Sequence, residues 1–349
     1  MAAQGEPLPI ILLTGFLGSG KTTLLNRLVK SPGLSDTAVI VNEFGEISID
    51  HLMIDSAIEN TLVLESGCIC CTIRGDLVDT LRDLVARAQS GEIPSFSRVI
   101  VETTGLAEPA PIIQTIVGDP MLVDQFRLGL VVTTVDAQMG IGEIERFPEA
   151  VKQIAAADLL LVTKSDLASK PAVEALSKKV ASMNPGAEML RTMSGDLDPD
   201  ILMSRLGDPG RAAAMIKHLD AAGPDAGHDH HGHDHDAHGA HFHADGNDIR
   251  TFSIEVDEPL DEAVATLWIQ SLLSLRGQDI LRLKGVLWLK GRDEPVLVQC
   301  VQHVSYPPVA LAAWPEGQRR TQIVFITRGI GRAGVMASLT ALREEREAA

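Results

Sequence analysis

The sequence has 349 residues, of which 30 are Lys or Arg and 47 are Asp or Glu, so its formal net charge is -17. This length is enough for roughly two domains. The acidic balance argues against a nucleic-acid backbone or an anionic membrane as the main partner, because a negatively charged surface repels both. The N-terminus has no basic stretch followed by an apolar one, and no run reaches the roughly 18 apolar residues of a membrane span. We therefore predict a cytoplasmic protein that binds neither nucleic acid nor membrane.

In the first part of the chain, short apolar runs alternate with segments of helical length. The runs occupy residues 9–14, 37–42, 61–65, 98–102, 128–136 and 158–163. Strands that are apolar on both faces and separated by helical connections are typical of a mostly parallel sheet covered by helices. The sequence therefore predicts an α/β domain over residues 1–212.

A phosphate-binding motif follows the first predicted strand directly. Residues 15–22 read GFLGSGKT, which fits G-x-x-x-x-G-K-[ST], and a helical stretch comes next. The glycines let backbone N–H groups wrap a polyphosphate, Lys21 neutralises the β- and γ-phosphate oxygens, and the hydroxyl of Thr22 ligates Mg²⁺. This motif predicts a P-loop NTPase domain. Its predicted nucleotide-contacting residues are Gly15, Gly18, Ser19, Gly20, Lys21, Thr22 and Thr23.

The end of a later strand supplies the predicted carboxylate on the Mg²⁺ side. The apolar run 98–102 ends in Glu102, and the glycine of the following Thr-Thr-Gly, Gly105, is predicted to approach the γ-phosphate. P-loop enzymes hold Mg²⁺ between the loop hydroxyl and an acid at such a strand end. We predict that Glu102 has this role, and that Lys21, Thr22 and Glu102 are the catalytic residues.

The tetrapeptide TKSD at residues 163–166 closes the last apolar run and resembles the [NT]KxD motif of GTPases. In that motif the aspartate, here Asp166, accepts hydrogen bonds from two guanine N–H groups that adenine does not offer. Thr163 and Lys164 complete the predicted base-reading residues, and GTP is the predicted nucleotide. Thr163 stands where Asn is commoner, which removes one amide contact and leaves the strictness of GTP over ATP open.

Three cysteines, Cys68, Cys70 and Cys71, fall within the segment ESGCICCTIRGDL at residues 65–77. Three thiols on a short turn can place at least two sulfurs on one ion, and soft thiolates suit Zn²⁺, Co²⁺ or Cu⁺ far better than Mg²⁺. In P-loop GTPases this part of the chain carries the switch regions, so metal coordination could depend on the nucleotide. Two other interpretations stay open: three buried structural cysteines, and a redox pair in the C-x-x-C of Cys68 and Cys71.

Most of the histidines lie in one tract. Residues 213–248 are mainly Ala, Gly, Asp and His, with little that could join a core, and they predict a flexible linker between two domains. Neutral imidazoles bind Zn²⁺, Co²⁺, Ni²⁺ or Cu²⁺. We predict metal loading or storage here, with an inert linker as the alternative. The predicted ligands are His228, His230, His231, His233 and His235.

Residues 249–349 have a different pattern. A strand over 249–256 and an amphipathic helix over 260–275 precede three strand candidates and a terminal helix that begins near Arg332. Strands that follow one another with few helices between them are typical of an antiparallel α+β domain. The G-x-G-x-x-G at 329–334 is predicted to be a strand-to-helix turn, because too few residues follow it for a dinucleotide-binding unit. The helix is predicted to bury Leu260, Val264, Leu267, Trp268 and Leu272.

Together these motifs resemble the CobW-type P-loop GTPases, a metallochaperone group related to the hydrogenase and urease nickel-insertion GTPases. The matching segments are residues 15–23, 41–50, 65–77, 99–109, 163–166, 281–289 and 322–330, with the isolated Trp314. The resemblance implies GTP hydrolysis with Mg²⁺, and a transition metal, Zn²⁺ or Co²⁺, bound at Cys68, Cys70 and Cys71 when GTP is present. It also implies that Glu43 and Asp50 belong to a switch that touches Mg²⁺ or the transition metal.

The predicted function is therefore a GTP-hydrolysing metallochaperone with slow basal turnover. Its predicted partner is a client metalloprotein or an enzyme of metal-cofactor biosynthesis. No residue is a secure catalytic base or arginine finger, so a client or a second subunit could supply the missing group, and a homodimer stays open. Two alternatives remain: a P-loop kinase or ATPase for a small molecule with structural cysteines, and a metal buffer with an idle nucleotide fold.

Overall fold

The computed structural model of the chain describes residues 6–42, 62–66, 73–206, 248–314 and 319–347. The described residues divide into two units. One holds those between 6 and 181 and between 187 and 206, and the other holds those between 182 and 186 and from 248 onward. Within the described ranges, no helix has the length and apolar character needed to cross a membrane. The predicted domain ranges 1–212, 213–248 and 249–349 stay predictions.

The first unit contains, among its described residues, a sheet of seven parallel strands. The strands are β1 (Leu8–Gly15), β2 (Thr37–Asn42), β3 (Leu62–Ser66), β4 (Arg98–Glu102), β5 (Phe126–Asp136), β6 (Leu159–Thr163) and β7 (Glu188–Arg191). Their order across the sheet is β3-β2-β4-β1-β5-β6-β7. The predicted mostly parallel sheet is confirmed.

Helices follow the strands of this part of the chain, as expected for parallel connections. They are α1 (Lys21–Leu28), α2 (Ile73–Ser90), α3 (Pro109–Gly118), α4 (Gly140–Arg146), α5 (Pro148–Ala156), α6 (Lys170–Met183) and α7 (Pro199–Met203), with a single 3-10 turn at Pro32–Leu34. Proline opens α3, α5 and α7 because the first helical position needs no backbone N–H donor. Strand and helix side chains such as Ile11, Leu13 and Leu25 bury one face of the sheet.

The sheet order explains where the nucleotide motifs meet. β1 lies between β4 and β5, and β6 lies beyond β5. Because the strands are parallel, their carboxyl ends share one edge of the sheet, where open α/β sheets bind ligands. At this edge β1, β4, β5 and β6 end at Gly15, Glu102, Asp136 and Thr163, respectively.

The second unit is an antiparallel sheet with helices packed on its core face. Its described strands are β8 (Ile249–Val256), β9 (Ile280–Leu287), β10 (Val296–Val301), β11 (Val304–Ser305), β12 (Val309–Ala310) and β13 (Thr321–Arg328), in the order β11-β10-β9-β13-β8, with β12 also paired to β10. Its helices are α8 (Glu262–Arg276) and α9 (Arg332–Glu347). The predicted antiparallel α+β class is confirmed. Residues 329–331 connect β13 to α9, and residues 332–334 form the start of α9.

The core of this unit is centred on Trp268. Its indole Nε1 donates to Ser338 Oγ at 2.9 Å, and its ring meets Phe325 edge-on with centroids 6.3 Å apart. Cys300 is buried in the same core, where burial raises the pKa of its thiol to about 11. A buried protonated thiol is a small apolar side chain rather than a metal ligand.

Two details of the predicted 260–275 helix are wrong. The helix begins at Glu262, because the carboxylate of Asp261 accepts hydrogen bonds from the backbone N–H groups of Ala263 and Val264 and caps it there. Leu267 is not in the core, since 46% of its surface is exposed. The other predicted apolar positions pack in or against the core cluster.

Strands β9 and β13 approach each other closely at Gly285, which yields a stability prediction. A Cβ at Gly285 would lie 2.2 Å from the carbonyl oxygen of Gln322. We expect Gly285→Ala to lower the free energy of unfolding by about 1–3 kcal/mol, because backbone must move to accept the methyl group. In the matched control Gly334→Ala, no heavy atom other than those of its chain neighbours and its own helix backbone lies within 4 Å of the new Cβ. Chemical denaturation that gave both variants the same midpoint would contradict this expectation.

Candidate nucleotide-binding site

The phosphate loop between β1 and α1 adopts a backbone that favours glycine. Gly15, Gly18 and Gly20 have φ angles of 142°, 71° and 94°. A Cβ on Gly15 would lie 2.3 Å from Thr134 Oγ1, so this position has neither the backbone angle nor the space for a side chain. Glycine is therefore required where the chain leaves β1.

The two residues at the start of α1 contact the phosphate loop and the end of β4. Lys21 is buried, and its ammonium donates to the carbonyl oxygens of Gly15 at 2.9 Å and Phe16 at 3.1 Å. The hydroxyl of Thr22 donates to Oε1 of the buried Glu102 at 2.8 Å. The structure thus brings all three predicted catalytic residues to the loop, although Glu102 is 80 positions from Thr22 in sequence.

The segment after β4 touches the phosphate loop directly. A Cβ on Gly105 would lie 2.6 Å from the backbone Cα and N of Leu17, so only glycine allows this approach. At the start of the segment, the hydroxyl of Thr103 donates to Thr14 Oγ1 on β1 at 3.0 Å. Gly105 therefore lies against the backbone of the phosphate loop, and its approach to the γ-phosphate stays a prediction.

The first residue of TKSD is bound to the phosphate loop. Thr163 Oγ1 donates to the carbonyl oxygen of Ser19 at 2.7 Å and lies 3.2 Å from that of Val135. At the position where Asn is commoner in this motif, the chain therefore has a threonine whose hydroxyl donates to a carbonyl of the phosphate loop. The Oγ atom of Ser19 is in turn 2.7 Å from Thr134 Oγ1. Asp166 and Thr23, by contrast, have exposed side chains.

The lysine of TKSD is paired with a residue that the sequence reasoning missed. Lys164 has φ 53°, and its ammonium donates to Asp136 Oδ2 at 2.6 Å. Asp136 is buried at the end of β5, and its Oδ1 accepts the backbone N–H of Gln138 at 2.7 Å. The signal for Asp136 was available, since it is an acid that closes an apolar strand, as Glu102 is.

A second missed carboxylate lies on α4. Burial raises the pKa of Glu143 from 4.5 to about 7; the charge of Asp136 adds to this rise, and the charges of Lys164 and Lys21 oppose it. Glu143 therefore lies within electrostatic reach of both lysines of the site. Near neutral pH it exists in both protonation states.

The predicted transition-metal site falls outside the described residues. This applies to the predicted ligands Glu43, Asp50, Cys68, Cys70, Cys71, His228, His230, His231, His233 and His235. Elsewhere, in the part of the chain that the structure describes, no group of three or more His, Cys, Asp or Glu side chains is arranged to hold a metal ion.

A phosphate loop on a parallel sheet, with an acid hydrogen-bonded to its threonine and the TKSD segment bound to it, defines a P-loop nucleotide-binding protein. Residues 9–191 match the CobW/HypB/UreG nucleotide-binding domain, and residues 249–343 match the cobalamin synthesis protein cobW C-terminal domain. The chain belongs to the CobW/HypB/UreG family, as predicted from its motifs.

Individual relatives agree with this assignment. The zinc chaperone YjiA of Escherichia coli is 32% identical over 340 residues, which cover 97% of this chain and 100% of the relative. The crystal structure of the Zn(II)-bound YjiA GTPase matches with a TM-score of 0.69 and 27% identity, covering 97% of this chain and 100% of that one. The zinc-regulated GTPase metalloprotein activator 1 of Schizosaccharomyces pombe is 31% identical over 201 residues, covering 55% of this chain and 47% of the relative.

The ion pair between Asp136 and Lys164 leads to a binding prediction. We expect Asp136→Asn to weaken GTP binding about tenfold, because it removes the charge that holds Lys164 while keeping an oxygen to accept from Gln138. The measurement is equilibrium binding of a fluorescent GTP analogue, and thermal unfolding checks that the variant is folded.

The matched control for this variant is Asp36→Asn. Asp36 pairs with Arg98 at the start of β4, at the opposite edge of the sheet. The control should bind GTP as the wild type does. If a folded Asp136→Asn protein also binds GTP with wild-type affinity, the ion pair has no part in nucleotide binding.

The raised pKa of Glu143 predicts a pH dependence of stability. Between about pH 4.5 and 7 the folded carboxyl binds more protons than the unfolded one, so its contribution to the free energy of unfolding falls as pH rises through this window. Glu143→Gln removes that contribution. We expect the variant to gain stability relative to wild type when urea denaturation is moved from pH 5 to pH 8. An identical difference at both pH values would show that Glu143 has an ordinary pKa.

Proposed function

We propose that this chain is a GTP-hydrolysing metallochaperone that binds Zn²⁺ through Cys68, Cys70 and Cys71 and delivers it to a client metalloprotein. The observation that carries the proposal is that the phosphate loop is hydrogen-bonded to both Glu102 and TKSD. The relative that matches along its full length is named a zinc chaperone. The relatives' names favour Zn²⁺ over Co²⁺ as the cargo.

The prediction of a GTPase is confirmed by the family and by relatives that are named GTPases. Lys21 now donates to loop carbonyls and would turn its ammonium to the phosphate oxygens when GTP binds. Asp166, next to the anchored Thr163 and Lys164, would read the guanine edge. Hydrolysis then depends mainly on how these groups orient GTP and neutralise its charge.

The residues at the start of α1 fit Mg²⁺. A hydroxyl and a carboxylate 2.8 Å apart beside the phosphate loop are oxygen donors of the kind that this hard cation prefers. Thr22 and Glu102 would hold it. When bound, Mg²⁺ neutralises charge on the β- and γ-phosphates.

The strand ends support a link between cargo and nucleotide. β2 and β3 end side by side at Asn42 and Ser66, and Val41 pairs with Glu102. The chain therefore enters the segments that carry Glu43 and Cys68 from the same sheet edge as the phosphate loop. We infer from this that Glu43 and Asp50 belong to a switch between the nucleotide and the thiols, as the family resemblance implies.

The decisive test is Zn²⁺ titration against a competing chelator, with and without Mg²⁺ and a non-hydrolysable GTP analogue. We expect the analogue to raise the affinity of the wild type at least tenfold, a change of about 1.4 kcal/mol. Cys70→Ser should lose this increase. Cys300→Ser, which changes a core thiol in the second unit, is the matched control and should keep it. The same Zn²⁺ affinity in every condition would exclude a GTP-gated site.

We further propose that the histidine tract is a loose metal reservoir. Deleting residues 228–243 should lower the number of Zn²⁺ ions bound per chain while GTP hydrolysis stays close to wild type, since flexible imidazoles bind several metals without strong selection. Metal content and phosphate release are measured on the same preparation. A large loss of hydrolysis would instead assign the tract to the catalytic cycle.

A further inference from the structure

A buried glutamine on α5 holds the segment that follows β4. The side-chain Nε2 of Gln153 donates to the carbonyl oxygens of Gly105 at 3.1 Å and Ala107 at 3.0 Å. Only 1% of the Gln153 surface is exposed. Both N–H groups of one amide are therefore used on the loop 103–108, far from solvent competition. This double contact fixes the loop more firmly than a single surface hydrogen bond would.

The same helical region also contacts the phosphate loop. Phe147, which directly precedes α5, stacks its ring on Phe16 with centroids 4.6 Å apart. Gly105 itself packs against the backbone of Leu17. The phosphate loop and the 103–108 loop therefore contact each other and the same helical region. The position of Gly105 relative to the phosphate loop thus depends on this region.

Two polar atoms at this loop have unmet hydrogen-bonding capacity. Gln153 Oε1 and Thr104 Oγ1 are buried, and neither has a hydrogen-bond partner among the described residues. Buried polar atoms are nearly always paired, so such exceptions call for an explanation. These exceptions are explained if the 103–108 loop has a second conformation in which the Thr104 hydroxyl makes a hydrogen bond.

We infer that Gln153 is a positioning residue for GTP hydrolysis, which holds the 103–108 loop so that Gly105 stands against the phosphate loop. Gln153 acts through Gly105 and touches no reacting atom. The inference rests on the proposed GTPase function, and it assigns to α5, which carries Gln153, a role in positioning the loop for hydrolysis. Since phosphoryl transfer depends on orientation, loosening this loop should slow the chemical step more than it weakens GTP binding.

The test compares steady-state GTP hydrolysis of the wild type, Gln153→Leu and Gln153→Asn. Leucine removes both donors, and the asparagine amide is one carbon too short to span both carbonyls. We expect kcat to fall at least tenfold in each variant while KM for GTP changes less than threefold. We also expect affinity for a non-hydrolysable GTP analogue to fall relative to affinity for GDP. A general loss of structure would not produce this selective pattern.

Lys152→Met is the matched control on the preceding residue of the helix. Lys152 makes a partly exposed ion pair at 2.6 Å with Glu108, the last residue of the 103–108 loop, so this variant changes only that end of the loop and keeps both hydrogen bonds from Gln153. Its kcat should stay within twofold of wild type. Thr104→Val removes the buried hydroxyl, and we expect it to keep or raise the thermal stability of the nucleotide-free protein while lowering kcat.

The outcomes separate this inference from the proposed function. If the wild type fails to hydrolyse GTP, or binds ATP as well as GTP, the proposed function is wrong. If the wild type is an active, GTP-specific enzyme and folded Gln153→Leu and Gln153→Asn keep wild-type kcat, only the role of Gln153 is overturned. Should Gln153→Leu fail to fold, Gln153→Asn and Thr104→Val carry the test.

Discussion

The tip of the phosphate loop is fixed by hydrogen bonds from two neighbouring strands, and the rest of the nucleotide site depends on them. Ser19 Oγ lies 2.7 Å from Thr134 Oγ1 on β5, and the Ser19 carbonyl accepts the hydroxyl of Thr163 on β6 at 2.7 Å. A glycine-rich loop has many accessible conformations, and each such bond reduces their number. Parallel pairing of β1, β5 and β6 sets these side chains next to the loop. Thr163 is also the first residue of TKSD, so this hydrogen bond connects the phosphate loop directly to the predicted base-reading motif.

The buried carboxylate beside this connection, that of Asp136, has a compensating cation. Asp136 is paired with Lys164 and accepts a backbone N–H. A lone carboxylate in that position would be strongly unfavourable, so Lys164 is held on the sheet edge even though its φ of 53° is uncommon for a residue with a side chain. Burial, with a smaller contribution from the charge of Asp136, raises the pKa of Glu143 to about 7. A neutral Glu143 also repels an incoming polyphosphate less than an ionised one does.

The sequence predicted those parts of the site that depend on local spacing and strand ends. The phosphate loop, Glu102 and TKSD each follow an apolar run, and parallel pairing alone brings such ends together. Gln153 could not be found in this way, because its function depends on how α5 packs against the 103–108 loop, and a glutamine in an amphipathic helix is usually a surface residue. The start of α8 was misplaced because the Asp261 cap, not hydrophobic spacing, sets it. Asp136 was overlooked although the rule that identified Glu102 applies to it.

The strand order limits how a bound nucleotide can affect the thiols. β1, which carries the phosphate loop, and β3, which leads to Cys68, are separated by β4 and β2. Three strand spacings of about 4.8 Å make roughly 14 Å, too far for a direct contact between the two strand ends. In the proposed GTP-gated mechanism, coupling would therefore involve the residues that follow β2 and β4, which include Glu43 and the 103–108 loop. A tenfold change in metal affinity requires about 1.4 kcal/mol, which is comparable to the net contribution of one or two hydrogen bonds. The two hydrogen bonds from Gln153 to the 103–108 loop therefore have a combined free energy comparable to the change that the proposed metal coupling requires.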